Sequence, residues 1–167
     1  TTNKKHKHTS SCNTTMTSID ALAGEWRRTS YDANYDAFLT GMGQGWLARK
    51  AATMAPYYRT IVVDGESLTD TINVAGILNV VATYTPCASK EEAAEARRQG
   101  KVVVEESHGK RSELVAYWDV TADGSKALVL HRVLSAENYE TFHTHVFDPS
   151  SPNRITIRLH LNKLDDG

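Results

Sequence analysis

The chain has 167 residues, of which 40% are apolar, and its 19 basic and 20 acidic side chains give a formal charge of −1. This length and composition favour one domain around one core. The balanced charge argues against nucleic acid as a partner and against a general attraction to anionic membranes. No apolar run approaches the roughly 20 residues that span a bilayer. With two cysteines, Cys12 and Cys87, the chain can form at most one disulfide bond.

The segment before the first periodic pattern is residues 1–18, which are rich in Thr, Ser, Lys and His. This segment has no apolar periodicity and is predicted to be a disordered polar tail. The remainder, residues 19–167, is predicted to form the single folded domain.

Two helices are predicted directly after the first strand. The strand-like residues 24–27 are followed by an amphipathic pattern at residues 34–39, for which Asn34 is a suitable N-cap. An Ala-rich pattern at residues 46–54 predicts a second helix, and Pro56 prevents its continuation. Such a pair can form a lid over the open end of a β-barrel, which then encloses a small molecule.

Beyond Pro56 the apolar pattern alternates with a period of two, which predicts a series of strands. Asp64-Gly65 between two such segments is a strong hairpin signal. Strong helix formers at residues 89–99, followed by Gly100, interrupt the series. The even spacing favours a meandering antiparallel barrel over a sandwich, with strands at residues 59–64, 67–73, 76–85, 101–107, 113–120, 126–134, 139–147 and 154–163.

Five short motifs stand out, namely GEWR at residues 24–27, NYDAFL at 34–39, GMG at 41–43, ARK at 48–50 and AP at 55–56. They resemble motifs of the intracellular lipid-binding proteins, the fatty-acid-, retinoid- and bile-acid-binding proteins of the calycin group. The resemblance extends from about residue 22 to residue 163. It implies a ten-stranded antiparallel up-and-down β-barrel, with a helix-turn-helix lid after the first strand, that binds and carries a hydrophobic ligand.

The resemblance also implies a site for a ligand carboxylate. Residues 130–134 resemble the family strand with an inward arginine, and residues 156–160 resemble the last strand, where an Arg-x-Tyr pair completes the anion site. A histidine stands here in the position of that tyrosine. The implied ligand is a long-chain fatty acid or a retinoid-like lipid, held by Arg132, Arg158 and His160. Trp118 is similar to a family tryptophan and is placed with the ligand-binding residues.

The alternation of apolar and polar residues and the family resemblance predict opposite orientations for the last strand. Arg158 and His160 share one side of this strand, and alternation alone favours the opposite, aliphatic side for the interior. That aliphatic side consists of Ile157, Leu159 and Leu161. The resemblance implies the reverse orientation. Two inward arginines without an inward acid would then be an unfilled anion site, because an isolated buried charge is costly and the arginine fork fits a carboxylate.

His143 and His145 share one strand face, and counting from Arg132 across the following turn places both inside with Thr141. Inward histidines next to arginines would be neutral hydrogen-bonding partners of a polar ligand group. A pH-sensitive pocket, a metal or haem site, or two solvent-facing histidines are the other interpretations.

The lid is predicted to present apolar side chains to the barrel and to the entrance of the ligand, namely Met42, Trp46, Leu47, Met54 and Tyr57. Four basic residues give the lid a locally basic surface, which the resemblance connects with transient contact to anionic membranes: Arg27, Arg28, Arg49 and Lys50.

Reversible binding of this kind needs no cofactor and no metal, and the protein is expected to be a monomer. The resemblance implies a cytoplasmic protein in which residues 1–15 precede a start at Met16. A glycosylation sequon at Asn13 and the first residue, Thr1, favour export instead.

Three alternative functions remain open. One is an enzyme on the same barrel, of the isomerase, oxygenase or luciferase-like kind, with His143, His145 or His160 as acid or base; no catalytic motif stands out, so an enzyme is not expected. Another is a haem- or metal-binding barrel that uses these histidines. The last is a secreted stress-protective barrel without a single ligand.

Overall fold

The computed structural model describes residues 19–75, 78–107, 110–147, 150–151 and 153–164. The predicted tail at residues 1–18 and Cys12 lie outside these described residues. Among the described helices, none is both long and apolar enough to cross a membrane.

The first half of the described chain forms a four-stranded antiparallel sheet with a helical hairpin between its first two strands. The strand order is β1-β2-β3-β4. A short 3-10 helix at Ile19–Leu22 precedes the sheet. The elements are β1 (Gly24–Arg27), α1 (Tyr35–Gly41), α2 (Trp46–Met54), β2 (Tyr57–Asp64), β3 (Ser67–Val74) and β4 (Leu78–Tyr84).

The second half forms a five-stranded antiparallel sheet in the order β5-β6-β7-β8-β9. A 3-10 turn at Ser135–Glu137 connects its third and fourth strands. The elements are α3 (Lys90–Arg98), β5 (Val103–Ser107), β6 (Lys110–Val120), β7 (Lys126–Leu134), β8 (Tyr139–Phe147) and β9 (Ile155–Lys163). The predicted antiparallel β fold with two helices after its first strand is confirmed.

The described residues form nine strands rather than the ten that the resemblance implies, and they form no ladder between β4 and β5 or between β1 and β9. Helix α3 lies between β4 and β5 in the chain, as its sequence predicts. Ser89 caps it by accepting a hydrogen bond from the Glu92 amide at 3.3 Å, and the Glu92 carboxylate accepts one from the Ala88 amide at 2.8 Å. Because these reciprocal capping contacts join residues that are close in the chain, the local sequence is enough to specify where the helix begins.

Helix α3 covers the outer face of the second sheet. Its buried Ala93 packs against Val115, Tyr117 and Val129. Arg97 ties the helix to the sheet by donating to the backbone carbonyl of His131 at 3.2 Å. The apolar part of the outer face of β6 and β7, at Val115, Tyr117 and Val129, is therefore covered.

The two sheets face each other across a shared apolar core, which contains Leu22, Ile61, Leu68, Ala82, Tyr84, Leu114, Ala116, Leu128 and Leu130. Apart from Leu22, which ends the 3-10 helix, these side chains occupy alternate strand positions and so define the inner face of each sheet. Trp26 closes the core near β1, where its indole Nε1 donates to the Leu22 carbonyl at 2.9 Å. The same inner face continues along each strand beyond this core.

Candidate functional site

Beside the apolar core, the inner face carries a set of charged and imidazole side chains. We call it the inner polar cluster, and it consists of Arg59, Asp70, Glu105, Arg132, His143 and His145. Five strands contribute to it, and several members stand two positions from a core residue, as Arg59 does from Ile61. The exposed fraction is 4% for Arg59 and 2% for Asp70. An ionised group so deeply buried must be paired.

Arg59 and Asp70 form a bidentate ion pair between the neighbouring strands β2 and β3. Arg59 Nε donates to Asp70 Oδ1 at 2.7 Å, and Nη2 donates to Oδ2. Burial alone would lower the pKa of Arg59, but the hydrogen bonds and charge of Asp70 outweigh it and raise this pKa. Arg59 is therefore a charged guanidinium whose charge is neutralised by the protein itself.

Arg132 and Glu105 form a second ion pair, between β7 and β5. Arg132 Nε donates to Glu105 Oε2 at 2.6 Å, and Nη2 donates to Oε1 at 3.2 Å. Glu105 is 7% exposed. Arg132 therefore lies on the inner face against an acid, and the prediction that the interior holds no matching acid is wrong.

Both predicted histidines point inward and contact the arginines. His145 Nε2 lies 2.7 Å from Arg59 Nη1, and His143 Nδ1 lies 3.4 Å from Arg132 Nη1. Burial, followed by the nearby guanidinium charges, holds the pKa of each histidine well below its ordinary value. The interior histidines are consequently neutral at neutral pH.

The contact with Arg59 determines the tautomer of His145. A guanidinium has only donors, so His145 Nε2 must be the unprotonated nitrogen, and the ring proton lies on Nδ1. This Nδ1 atom is buried and has no hydrogen-bond partner among the described residues. An unsatisfied buried donor costs about 1–3 kcal/mol. The inner polar cluster thus contains one donor that lacks an acceptor.

The prediction that Arg158 and His160 complete an interior anion site is wrong. The register of β8 with β9 pairs His145 with Ile157 and His143 with Leu159, so these aliphatic side chains share the inner face. Arg158 and His160 are exposed on the outer face, where His160 Nε2 contacts Asn162 Oδ1 at 2.7 Å. The physical reason is the alternation of apolar and polar residues along this strand. Turning the arginine inward would place three aliphatic side chains in water.

Three members of the inner polar cluster were not predicted from the sequence: Arg59, Asp70 and Glu105. A signal was present, because each stands at an inward position of an alternating strand. Arg59 lies between Tyr57 and Ile61 in this alternation. A charged residue on an apolar stripe predicts a buried partner, although the pattern does not name that partner.

Trp118 lies apart from the inner polar cluster. Its ring packs against the apolar core, 6.3 Å from that of Phe147, and Lys126 Nζ lies 4.3 Å from its centre. Trp118 therefore packs with the apolar core.

The lid covers the barrel with α1 rather than with the large side chains of α2. Phe38 of α1 approaches His143, with ring centres 6.3 Å apart, and a Cβ atom at Gly41 would lie 3.5 Å from Leu161. Met42 is half-buried. In contrast, Trp46 is 68% and Met54 75% exposed.

The prediction that Trp46, Leu47 and Met54 line the inner side of the lid is therefore wrong. Helix α2 has no buried residue. Residues 46, 50 and 54 stand four positions apart and share one side of the helix, which faces away from the barrel. The helix is held by its backbone instead, because Arg28 Nη2 donates to the Ala52 carbonyl at 2.8 Å and to the Ala55 carbonyl at 3.0 Å.

A cleft of about 220 Å³ lies at the base of the lid, between the end of β1 and the end of α2. Met54 and Tyr57 line it together with Arg28. The Arg28 guanidinium lies 5.2–5.6 Å from the ring centres of Tyr31, Tyr35 and Tyr57. This arginine therefore connects the lid with the rim of the barrel.

Replacing Arg28 with methionine is expected to loosen α2. The loss of two hydrogen bonds and of the aromatic contacts should raise amide exchange in residues 46–55 about tenfold. Hydrogen–deuterium exchange with mass spectrometry measures this, and Arg27→Met, an exposed neighbour, is the matched control. Equal exchange in both variants would contradict the role assigned to Arg28.

No metal centre is evident in the described part of the chain, where no three His, Cys, Asp or Glu side chains are grouped to hold an ion. His143 and His145 are each engaged by an arginine through one ring nitrogen.

No protein-family model matches the chain, and no curated protein matches it in sequence. Solved structures match it in fold. A fatty-acid-binding protein from the brain of Drosophila melanogaster is 13% identical over 84% of this chain and 91% of that chain, with a TM-score of 0.60. Fatty-acid-binding protein 1 of Echinococcus granulosus is 9% identical over 87% of this chain and 92% of that chain, with a TM-score of 0.62.

An abundant heat soluble (SAHS) protein from Ramazzottius varieornatus is 10% identical over 86% of this chain and 89% of that chain, with a TM-score of 0.63. At these identities the likeness concerns the fold. The chain thus has the fold of the fatty-acid-binding proteins, as its short motifs implied.

Proposed function

We propose that this protein binds a small lipid in the space between its two sheets and carries it. The observation that supports this most directly is an apolar inner surface that remains accessible. Ile157 pairs directly with His145 and shares its face, yet Ile157 is 38% exposed and His145 only 1%. Leu159 and Leu161 continue this surface and are half-buried.

An accessible apolar surface beside a buried polar cluster suits an amphipathic ligand. The hydrocarbon part of the ligand would cover Ile157, Leu159 and Leu161 and gain about 0.8 kcal/mol for each methylene removed from water. The polar end would lie toward the inner polar cluster. The carboxylate site predicted from the sequence depended on Arg158 and His160, which lie outside, so the proposal does not depend on a carboxylate.

Displacement of a fluorescent fatty acid or of retinol tests this proposal. The account predicts saturable binding of one ligand per chain. Leu159→Gln, which places an amide on the inner surface, should weaken binding about tenfold. Arg158→Gln, the neighbouring outward position, should leave it unchanged. Loss of binding in the arginine variant alone would restore the site predicted from the sequence and contradict the present one.

We propose carriage rather than catalysis, and the state of the histidines supports this. The unprotonated nitrogen of His145 is occupied by Arg59 and its pKa is lowered, so it is a poor acid or base near neutral pH. Recovery of a bound lipid unchanged by mass spectrometry is the expected result. Appearance of an isomerised or oxidised product would contradict it.

The exposed side of α2 supports a further part of the proposal, transient contact with membranes during transfer. Trp46, Leu47 and Met54 are all at least 68% exposed, and Lys50 is exposed among them. An apolar helix face with a basic residue suits an anionic lipid surface. Arg49, by contrast, is paired with Asp36 at 3.0 Å.

Replacing both Trp46 and Leu47 with alanine is expected to slow ligand transfer to vesicles that contain anionic lipid. The lost interfacial contacts predict a decrease of about tenfold, with little change in affinity. Stopped-flow transfer of a fluorescent lipid measures it. Val81→Ala removes an exposed apolar side chain of β4 and is the control. Equal slowing in the control would contradict a specific role of α2.

A further inference from the structure

We propose that the polar end of the ligand is uncharged and presents a hydrogen-bond-accepting oxygen, as in an alcohol, an aldehyde, a ketone or an ester. The inference rests on the proposed function, because it names the class of lipid that the same interior would take. The observation that supports this inference is the pairing of charges within the inner polar cluster.

The inner polar cluster is internally neutralised. Arg59 is matched by Asp70, and Arg132 is matched by Glu105, each through two donor–acceptor contacts. His143 and His145 contact the guanidinium groups through ring nitrogens that must act as acceptors. Two cations and two anions leave no net charge for a ligand carboxylate to balance.

A carboxylate entering this interior would compete with the protein's own acids. To reach Arg132 Nε and Nη2 it would have to displace Glu105, which is 7% exposed and would be left without its cation. An unpaired buried carboxylate is strongly unfavourable, and two carboxylates at one guanidinium repel each other. An uncharged head group avoids both costs.

The cluster does contain a donor that an uncharged oxygen would satisfy. His145 Nδ1 carries a proton and finds no acceptor in the part of the chain that the structure describes, on the same inner face as Ile157. A hydroxyl or carbonyl oxygen that accepts from this atom would remove the cost of the unsatisfied donor without bringing in a charge. The required chemistry is therefore an acceptor oxygen at the end of a hydrocarbon.

A panel of 16-carbon ligands that differ only at the head group tests the inference with the natural chain. Hexadecan-1-ol, methyl hexadecanoate and hexadecanoic acid would each be titrated against the same bound probe, retinol, at pH 7.5. The account predicts that at least one uncharged ligand binds about tenfold or more tightly than the acid. An acid that binds as tightly or more tightly would overturn the inference and leave the proposed function standing. Binding of none would overturn the proposed function and the inference with it.

Glu105→Gln provides a second test, because it removes the acid that neutralises Arg132. The affinity for hexadecanoic acid should rise about tenfold, while that for the alcohol changes little. Glu106→Gln alters the exposed neighbour on the same strand and should change neither affinity. An unchanged preference in the Glu105 variant would overturn the inference. Should that variant fail to fold, the ligand panel on the natural chain decides alone.

Discussion

Replacing Asp70 with alanine is expected to lower the free energy of unfolding by about 3–5 kcal/mol, because it leaves the buried Arg59 guanidinium without its counter-charge. Arg59 is 4% exposed and donates two hydrogen bonds to Asp70, so water cannot substitute for the carboxylate. Urea denaturation followed by circular dichroism measures the change.

Asp64→Ala is the matched control, since Asp64 is an exposed acid at the end of β2 in the same hairpin. It should cost less than about 1 kcal/mol. The double variant Arg59→Met, Asp70→Leu should recover much of the loss, because an apolar pair of similar volume needs no counter-charge. Equal losses in Asp70→Ala and Asp64→Ala would contradict the buried ion pair.

The second large effect is a loss of stability on mild acidification. In the folded chain, burial and then the arginine charges lower the pKa of His143 and His145 well below the ordinary value of 6.5. The unfolded chain therefore binds protons below pH 6.5 that the folded chain does not, so unfolding becomes more favourable as the pH falls. Each histidine contributes about 1.4 kcal/mol per pH unit in this range.

Denaturation of the natural chain at pH 7.5, 6.5, 5.5 and 5.0 would check this dependence. His145→Gln and His143→Gln should each reduce the slope below pH 6.5, whatever their effect at pH 7.5. Thr141→Val changes a buried, non-titrating residue on the same strand face and should shift stability equally at every pH. A slope unaffected by either histidine substitution would show that these side chains are not buried as neutral groups.

The secondary structure was predictable because its signals are local. The bounds predicted for the second helix, residues 46–54, coincide with α2, and the Asp64-Gly65 signal lies at the turn where Gly65 has a φ of +59°. Capping by Ser89 likewise specifies α3. Each of these signals depends on residues within one or two turns of one another.

The pairing of charges was not predictable, because it depends on which strands lie side by side. Glu105 and Arg132 are 27 positions apart and come from two strands that are both neighbours of β6. Alternation identifies Arg132 as inward but names no partner for it. The assumption of two unpaired interior arginines failed for this reason.

The last strand shows the limit of a resemblance. Alternation over residues 157–161 placed the aliphatic side chains inside, and the register of β9 on β8 agrees with it. The motif resemblance favoured Arg158 and His160 and was wrong for both. Where a charged residue and three aliphatic ones compete for one face, the cost of exposing the apolar set decides the orientation.

The central claim is that a lipid lies against the inner face of β9, and methyl NMR with a saturating uncharged ligand measures this directly. The account predicts nuclear Overhauser contacts from the ligand chain to the methyl groups of Ile157, Leu159 and Leu161. The outward methyl groups of Val62 and Val81, which are 56% and 55% exposed, should show none. Contacts restricted to these outward valines, with no contact to the aliphatic side chains of β9, would contradict it.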